Sequence, residues 1–485
     1  GTICGGYNNS IALDYNCIVG GDTNSISGTS EHCFIGGGNT NSIIDSSDSV
    51  IVGGDHNTIP VDCGTHNFIG GGDTNLLVTA ATYIGKNVII GGNLNSIQGR
   101  FCFIGGGYSN DIVLANGVQL SVIVGGRENS IASDRCAIVG GYFNSIGASS
   151  DYNFIGGGWT NAIATSTYAF IGGGYSNSIT ASTHSVIVGG DTNIIPTGCG
   201  VHNFIGGGDT NLLVTAAINN GQNVVTGGYF NSIQGQCCFI GGGYSNDIVL
   251  AAGSLYGTIG GGASNLVSGA QSSTIAGGQD NVASSSYVTV GGGRLNEASG
   301  YASVISGGYD NTVTSSYGVV CGGQYNTVSL NYGLATGYYA NSSHYGQFTQ
   351  ASGKITALGD AQTSVLVARN QTTDDTPTEL FLDGTATRLT IPVNTSWYFT
   401  IKIIARQTND DFTVNGYHYE GLVTRDAGNV SVPNQAATHT FENDMGWVCA
   451  VSADVGNQAL IITVTGGASD NINWVARIEL VETTG

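Results

Sequence analysis

The segment Phe170-Ile-Gly-Gly-Gly-Tyr-Ser-Asn-Ser-Ile179 is repeated through most of the chain. Numbered one to ten, its general form is Φ-Ile-small-Gly-Gly-x-x-Asn-x-Ile, with Phe, Val or Thr at Φ. From Thr2 to the copy beginning at Leu334 there are 21 copies, spaced by 15 to 20 residues. A period this short and this persistent describes a solenoid in which each copy is one coil. Positions one to three and eight to ten read as two short strands. The Gly-Gly pair at four and five gives the backbone the freedom to turn between them. Stacking sets like side chains about 4.8 Å apart, so Asn at position eight, from Asn9 to Asn341, is expected to form an amide ladder that holds the turn.

Strand alternation assigns the faces. Ile at positions two and ten points into the coil, which leaves positions one and three facing outward. Those outward positions are nevertheless apolar, and they covary. Phe34, Phe68, Phe103, Phe154, Phe170, Phe204 and Phe239 at position one all precede Gly at position three. Val at position one mostly precedes a second branched residue, as in Val50/Val52, Val122/Val124 and Val186/Val188. Compensation of volume is a property of packed surfaces. It predicts that this face is covered along the solenoid, and a symmetric homotrimer covers it most simply.

Composition excludes other readings. With 79 glycines among 485 residues, disorder or collagen would be options, but no three-residue period exists and Ile and Val are abundant. A formal charge of −21, shared by both parts of the chain, leaves no electrostatic footprint for nucleic acid. No run of 18 apolar residues suggests a membrane-spanning helix. Of the 11 cysteines, Cys17 occupies position one, Cys4 and Cys321 position three, and Cys33, Cys102, Cys136 and Cys238 sit at or just before position one, in slots filled elsewhere by Val, Asn or Ala. They read as buried or half-buried free thiols, in keeping with assembly in a reducing cytoplasm. The chain opens at Gly1 in mid-repeat, so an upstream segment is expected, joining it to a larger structure.

A longer repeat lies above the coil. Residues 34–117 match 170–253 at a constant offset of 136, irregular spacings included. The insertions at Val78–Lys86 and Val214–Gln222 then bulge from one corner. After Asn341 the motif fades. The expected organisation is a solenoid shaft over 1–344, a neck over 345–362 and, over 363–485, an antiparallel β-sandwich or jelly roll. That last domain also covers the open edge of the final coil.

Two stretches resemble known families. Ser303-Val-Ile-Ser-Gly-Gly-Tyr-Asp-Asn-Thr-Val-Thr-Ser-Ser-Tyr317 is similar to the head repeats of YadA-like trimeric adhesins, which implies a left-handed, trimeric roll. That repeat is usually one residue shorter and has Ala or Ser where Asn stands here. Ala351-Ser-Gly-Lys-Ile-Thr-Ala-Leu-Gly-Asp-Ala-Gln-Thr-Ser364, with Glu379-Leu-Phe-Leu-Asp-Gly384 and Asn473-Trp-Val-Ala-Arg-Ile-Glu479, resembles the C-terminal domain of tail-fibre-like proteins of tailed bacteriophages. This resemblance implies a virion fibre, assembled in the host cytoplasm and working outside the cell. It would join the tail or baseplate through a preceding segment and meet a host-surface glycan or protein.

No catalytic constellation stands out, and the expectation is a structural and adhesive fibre that is not an enzyme and takes no cofactor or metal. The alternatives are a tailspike that degrades surface polysaccharide and a cellular trimeric adhesin. Asp374-Asp375 and Asp410-Asp411 are adjacent acids in expected loops. Receptor contact is expected at Asp410, Asp411, Tyr417 and Tyr419, where a loop and strand combine polar and aromatic groups. Position six holds Tyr142, Trp159 and Tyr175 in three successive coils. Those rings either form a ladder for sugar faces or simply cover their own glycine corners.

Overall fold

The computed structural model describes residues 1–78, 85–113, 119–214, 221–251, 255–269, 271–408, 413–442 and 446–484. They are all-β, with about 21 solenoid turns followed by antiparallel sheets. Among them no helix is long and apolar enough to cross a membrane. Two compact units part within the solenoid, Gly1–Ile248 and Val249–Gly485. The second unit therefore holds the later coils together with the C-terminal sheets.

In the first unit the position-one strands stack in parallel and in register, Phe154 on Phe170 on Val186 on Phe204. The strands ending at position ten form a second ladder, Ile163 on Ile179 on Ile195. Beyond the first coil, Ile at positions two and ten is buried, as at Ile171 and Ile179. The interior is thus two facing columns of isoleucine.

From Asn24 to Asn326 the Asn at position eight is also fully buried, and its hydrogen bonds explain why that is tolerated. Asn9 is half-buried, and the rung expected at Asn341 is taken by the Ala340 N–H, which donates to Asn326 Oδ1. Asn177 Nδ2 donates to the Gly173 carbonyl of its own corner and to the Gly190 carbonyl of the next coil, both at 3.0 Å. Its Oδ1 accepts from the backbone N–H and Nδ2 of Asn193, both at 3.1 Å. Glycine at position five follows from this contact. Gly174 has φ +97°, and a Cβ there would lie 2.1 Å from the Gly190 carbonyl oxygen and 2.7 Å from Asn177 Nδ2. Non-glycine residues with positive φ recur at both corners, position seven (Ser176, φ 55°) and two residues before position one (Tyr168, φ 56°).

The covariation of positions one and three has a cause inside the chain. A Cβ on Gly172 would lie 2.2 Å from the Val188 carbonyl oxygen and 3.3 Å from Cε1 of Phe170. The carbonyl of the next coil and the Phe170 ring of the same coil thus leave room only for hydrogen. Packing against another molecule is not needed to explain the pattern, although Phe34, Phe170 and Phe239 remain more than a third exposed. The thiols are all free. Cys63 and Cys199 are buried and pushed up to about 12 by desolvation. Cys4 and Cys321 are exposed, contrary to expectation, because position three faces outward.

In the second unit the last coil ends in Phe348–Ser352, whose free edge pairs antiparallel with Ala361–Thr372. That strand begins a sheet continuing through Ile472–Thr484, Thr395–Gln407, Val414–Arg425 and Val430–Glu442. A smaller sheet of Thr378–Glu379, Leu389–Thr390, Val448–Asp454 and Ala459–Thr465 contributes to the same core. Trp397, Phe399 and Trp474 meet Val451, Leu460 and Ile462 there.

Buried polar groups lock coil to cap. Gln347 Oε1 accepts from the N–H groups of Ser343 and His344, and its Nε2 donates to Ser364 Oγ at 2.7 Å. Ser364 in turn donates to the buried Glu482. Burial raises the Glu482 carboxyl above its ordinary range, so the folded chain binds that proton more tightly than the unfolded chain does. The stabilisation is complete below the ordinary Glu pKa and is lost as pH rises through the raised one.

Two outcomes are expected. Asn177→Ala, which strands the Asn193 amide, should speed its hydrogen exchange about 100-fold, the equivalent of ~3 kcal/mol of local stability; an unchanged rate would remove the ladder from its central place. Glu482→Gln should raise the urea midpoint of the C-terminal core at pH 7, with the difference vanishing below the usual Glu range. Fluorescence of the buried Trp397, Trp447 and Trp474 in a Trp159→Phe background reads that transition.

Candidate functional site

The ladder uses the backbone of positions four to eight and the Asn side chain, so the side chain at position six is free to vary and points away from the coil. In five successive coils it is Tyr108, Arg127, Tyr142, Trp159 and Tyr175, bridged rung to rung through the backbone. The guanidinium of Arg127 lies 5.2 Å from the ring centroids of both Tyr108 and Tyr142. Tyr142 and Trp159 meet at 5.7 Å and 61°, and Trp159 and Tyr175 at 5.4 Å and 84°. The structure thus brings the three expected rings together and extends the row by Tyr108 and Arg127. Their common position in the repeat was the signal that would have found those two.

The angles matter for chemistry. In an edge-to-face step one ring turns its own faces away from its neighbour. Trp159 is 51% exposed and Tyr175 47%, so this row offers aromatic faces to solvent at intervals of one coil. The opposite corner is different. Tyr152, Tyr168, His184 and His202 stack at 4.9 Å with planes within 14° of parallel, and Arg135 caps Tyr152 at 5.2 Å. There the faces are used up by neighbours and only edges remain. At the places 136 residues before Tyr168, His184 and His202 stand His32, Asp48 and His66. Both imidazoles lie beside the Asp48 carboxylate, at 3.7 and 3.9 Å.

Other expected contacts are placed differently. Asp410 and Asp411 lie outside the described residues. Tyr417 is buried in the C-terminal core, where its hydroxyl accepts from Asn415 Nδ2 and donates to the Trp447 carbonyl. Tyr419 is partly buried and donates to the Cys449 carbonyl. Strand alternation turned both rings inward, which a loop-based reading of the stretch had missed.

The outward apolar face holds Phe34, Phe68, Phe103, Phe154, Phe170, Phe204, Phe239, Val50, Val122 and Val186, all exposed or half-buried. Phe154 and Phe170 stack on it at 5.3 Å and 5°.

Asp374, Glu379 and Asp454 serve structure. Asp374 accepts the Thr376 N–H across a turn, a bond that lowers its pKa. Glu379 holds Arg388 through two nitrogens at 2.8 to 3.0 Å, with Asp454 3.9 Å away. Asp55, His56 and Asp73 bring potential ligand atoms within 4.8 Å of one another, an exposed acidic group of a kind common without any ion.

No family model matches the chain, and no curated protein matches it. Among solved structures, the tailspike protein gp49 from Acinetobacter baumannii bacteriophage Fri1, described as a capsular polysaccharide depolymerase, is 10% identical. That similarity covers 98% of this chain and 80% of gp49, with a TM-score of 0.22. The tailspike of Acinetobacter baumannii phage AM24 is 8% identical over 93% of this chain and 78% of its own, at 0.19. The tailspike of Acinetobacter phage vB_ApiP_P1 is 8% identical over 97% and 82%, at 0.15. At these values the likeness carries no residue roles and no ligand. One expectation is corrected: with a described depolymerase among these chains, the reading of the protein as a non-enzyme is not kept.

Of the four tryptophans, Trp397, Trp447 and Trp474 are buried. Acrylamide should therefore quench a single accessible class of emission, and Trp159→Phe should abolish it. Absence of quenching in the unsubstituted chain would show that the position-six row is not open to solvent.

Proposed function

We propose that this chain is a bacteriophage tail protein of the tailspike kind, which holds a host-surface polysaccharide along its solenoid. The observation that carries the reading is the row Tyr108–Arg127–Tyr142–Trp159–Tyr175, whose edge-to-face steps leave aromatic faces open at one-coil intervals. Sugar rings present apolar C–H faces that pack on such surfaces while their hydroxyls stay wet. The C-terminal stretches that resemble tail-fibre domains, and the names of the solved neighbours, support the virion setting. Cleavage of the bound polysaccharide is the second reading, brought by the description of gp49 as a depolymerase.

The working form is a homotrimer. Branched and aromatic residues such as Val52, Val124, Phe170 and Val188 leave an apolar band exposed along the position-one strands, and bands of this kind mark contact surfaces. Three copies of a 49.5 kDa chain around one axis would cover it.

Capsular polysaccharide from a strain to which the purified protein adheres provides the test. It should shield Trp159 from acrylamide, and Trp159→Ala should weaken binding about tenfold, the loss of one stacking contact of ~1.4 kcal/mol. Release of new reducing ends would establish cleavage, and shielding without release would establish binding alone. Neither shielding nor release sinks the proposal, and light scattering that finds a stable monomer at micromolar concentration sinks its trimeric part.

A further inference from the structure

The C-terminal sheet has a second, outward face that the core does not use. Along Thr395–Gln407 the inward residues Trp397, Phe399 and Ile401 alternate with Tyr398, Thr400 and Lys402. Tyr398 stands opposite Val481 on one neighbouring strand and Leu422 on the other, and Leu422 stands opposite Asn434 on the last strand. Two register shifts, between His418 and Tyr419 and between Leu422 and Thr424, bend that last strand. Irregularities of this kind re-aim side chains at sheet edges.

The result is a shallow cleft of about 340 Å³ lined by Tyr398, Glu420, Leu422, Asn434 and Ala436. Small Ala436 stands opposite Glu420 and leaves the space open. The groups around it converge in kind. The Tyr398 ring is exposed, and its hydroxyl donates to Glu420 Oε2 at 3.1 Å. The other Glu420 oxygen lies 3.5 Å from His418 Nε2. The Asn434 side chain is exposed at the rim.

We infer that this cleft is a sugar-binding subsite of the C-terminal domain, taking one pyranose unit with its C–H face on Tyr398 and its hydroxyls on Glu420 and Asn434. An apolar platform beside a few convergent polar groups is the usual make-up of a small-ligand site, and the carboxylate is already held in place by Tyr398. Glu420 and Asn434 between them supply acceptors and an N–H donor, which is what vicinal hydroxyls require. The inference rests on the glycan-binding reading above but uses none of the solenoid residues.

Saturation-transfer NMR on the full chain, with the methyl glycosides of glucose, galactose and N-acetylglucosamine as probes, tests it. Transfer to the ring protons of at least one probe is expected. Tyr398→Ala should reduce it about tenfold, Tyr398→Phe should keep most of it, and Glu420→Gln, which preserves packing, should weaken it several-fold. Trp159→Ala should leave it unchanged. Wild-type transfer in a Tyr398→Ala chain with native circular dichroism overturns the inference, as does loss of transfer in Trp159→Ala with retention in Tyr398→Ala. That last outcome would leave the solenoid reading intact. No transfer from any probe, while capsular polysaccharide still shields Trp159, also overturns this subsite alone. So does a fall in molecular mass on Tyr398→Glu, which would show the face covered by a second copy of the chain.

Discussion

Each coil is closed by one carboxamide. The position-eight Asn ties the glycine corner of its own coil to the corner of the next, and accepts in return from the following Asn. A buried amide without partners would cost several kcal/mol; here every rung satisfies the next. Much else follows from this contact. Position five must be glycine because the amide nitrogen and the neighbouring carbonyl occupy the space of a Cβ. Position seven adopts positive φ even when it is Phe143 or Thr160, a strain of about 1 kcal/mol per residue offset by the ladder. With the corners fixed, the isoleucines fall into columns with no further instruction.

Such a scaffold leaves certain side chains unassigned. The ladder needs nothing from the side chain at position six or from the residue two before position one, so these two corners vary while the coil between them does not. Two sets of residues make the point. His32, Asp48 and His66 stand 136 residues before Tyr168, His184 and His202 at equivalent corners, gathered around a carboxylate in the first set and stacked in the second. A surface that tolerates such change at no cost to the coil is suited to binding. The ring geometry then separates two uses of similar residues. Near-parallel rings at 4.9 Å spend their faces on one another, whereas rings crossed at 61° and 84° keep faces open.

A parallel stack of this kind also has an end that must be covered. The cap is the strand Ala361–Thr372, which reverses direction against Phe348–Ser352 and carries the sheet order into the sandwich. Its attachment depends on a buried polar cluster around Gln347, Ser364 and Glu482 rather than on apolar packing alone. Such a junction has strict geometry, and its carboxyl makes it sensitive to pH.

Much was legible in the residues themselves. The coil, its two strands, the Asn ladder and the inward isoleucines follow from a period and from strand alternation, because each is a local rule repeated many times. The pairing of Phe170 with Gly172 was visible as a pattern, but its cause was not. Only the stacked structure shows the Val188 carbonyl approaching the place of the missing Cβ. Tyr417 and Tyr419 read as exposed recognition residues, and the sheet turned them inward, since one residue of register reverses every face. The Tyr398 cleft had no signature at all. Tyr398, Glu420 and Asn434 lie on three strands, and only their register makes them neighbours. What repeats along the chain was determined by the sequence on its own. What meets across strands, and which ring faces stay open, was decided by tertiary structure, because side-chain proximity and angle are set by register and stacking rather than by order in the chain.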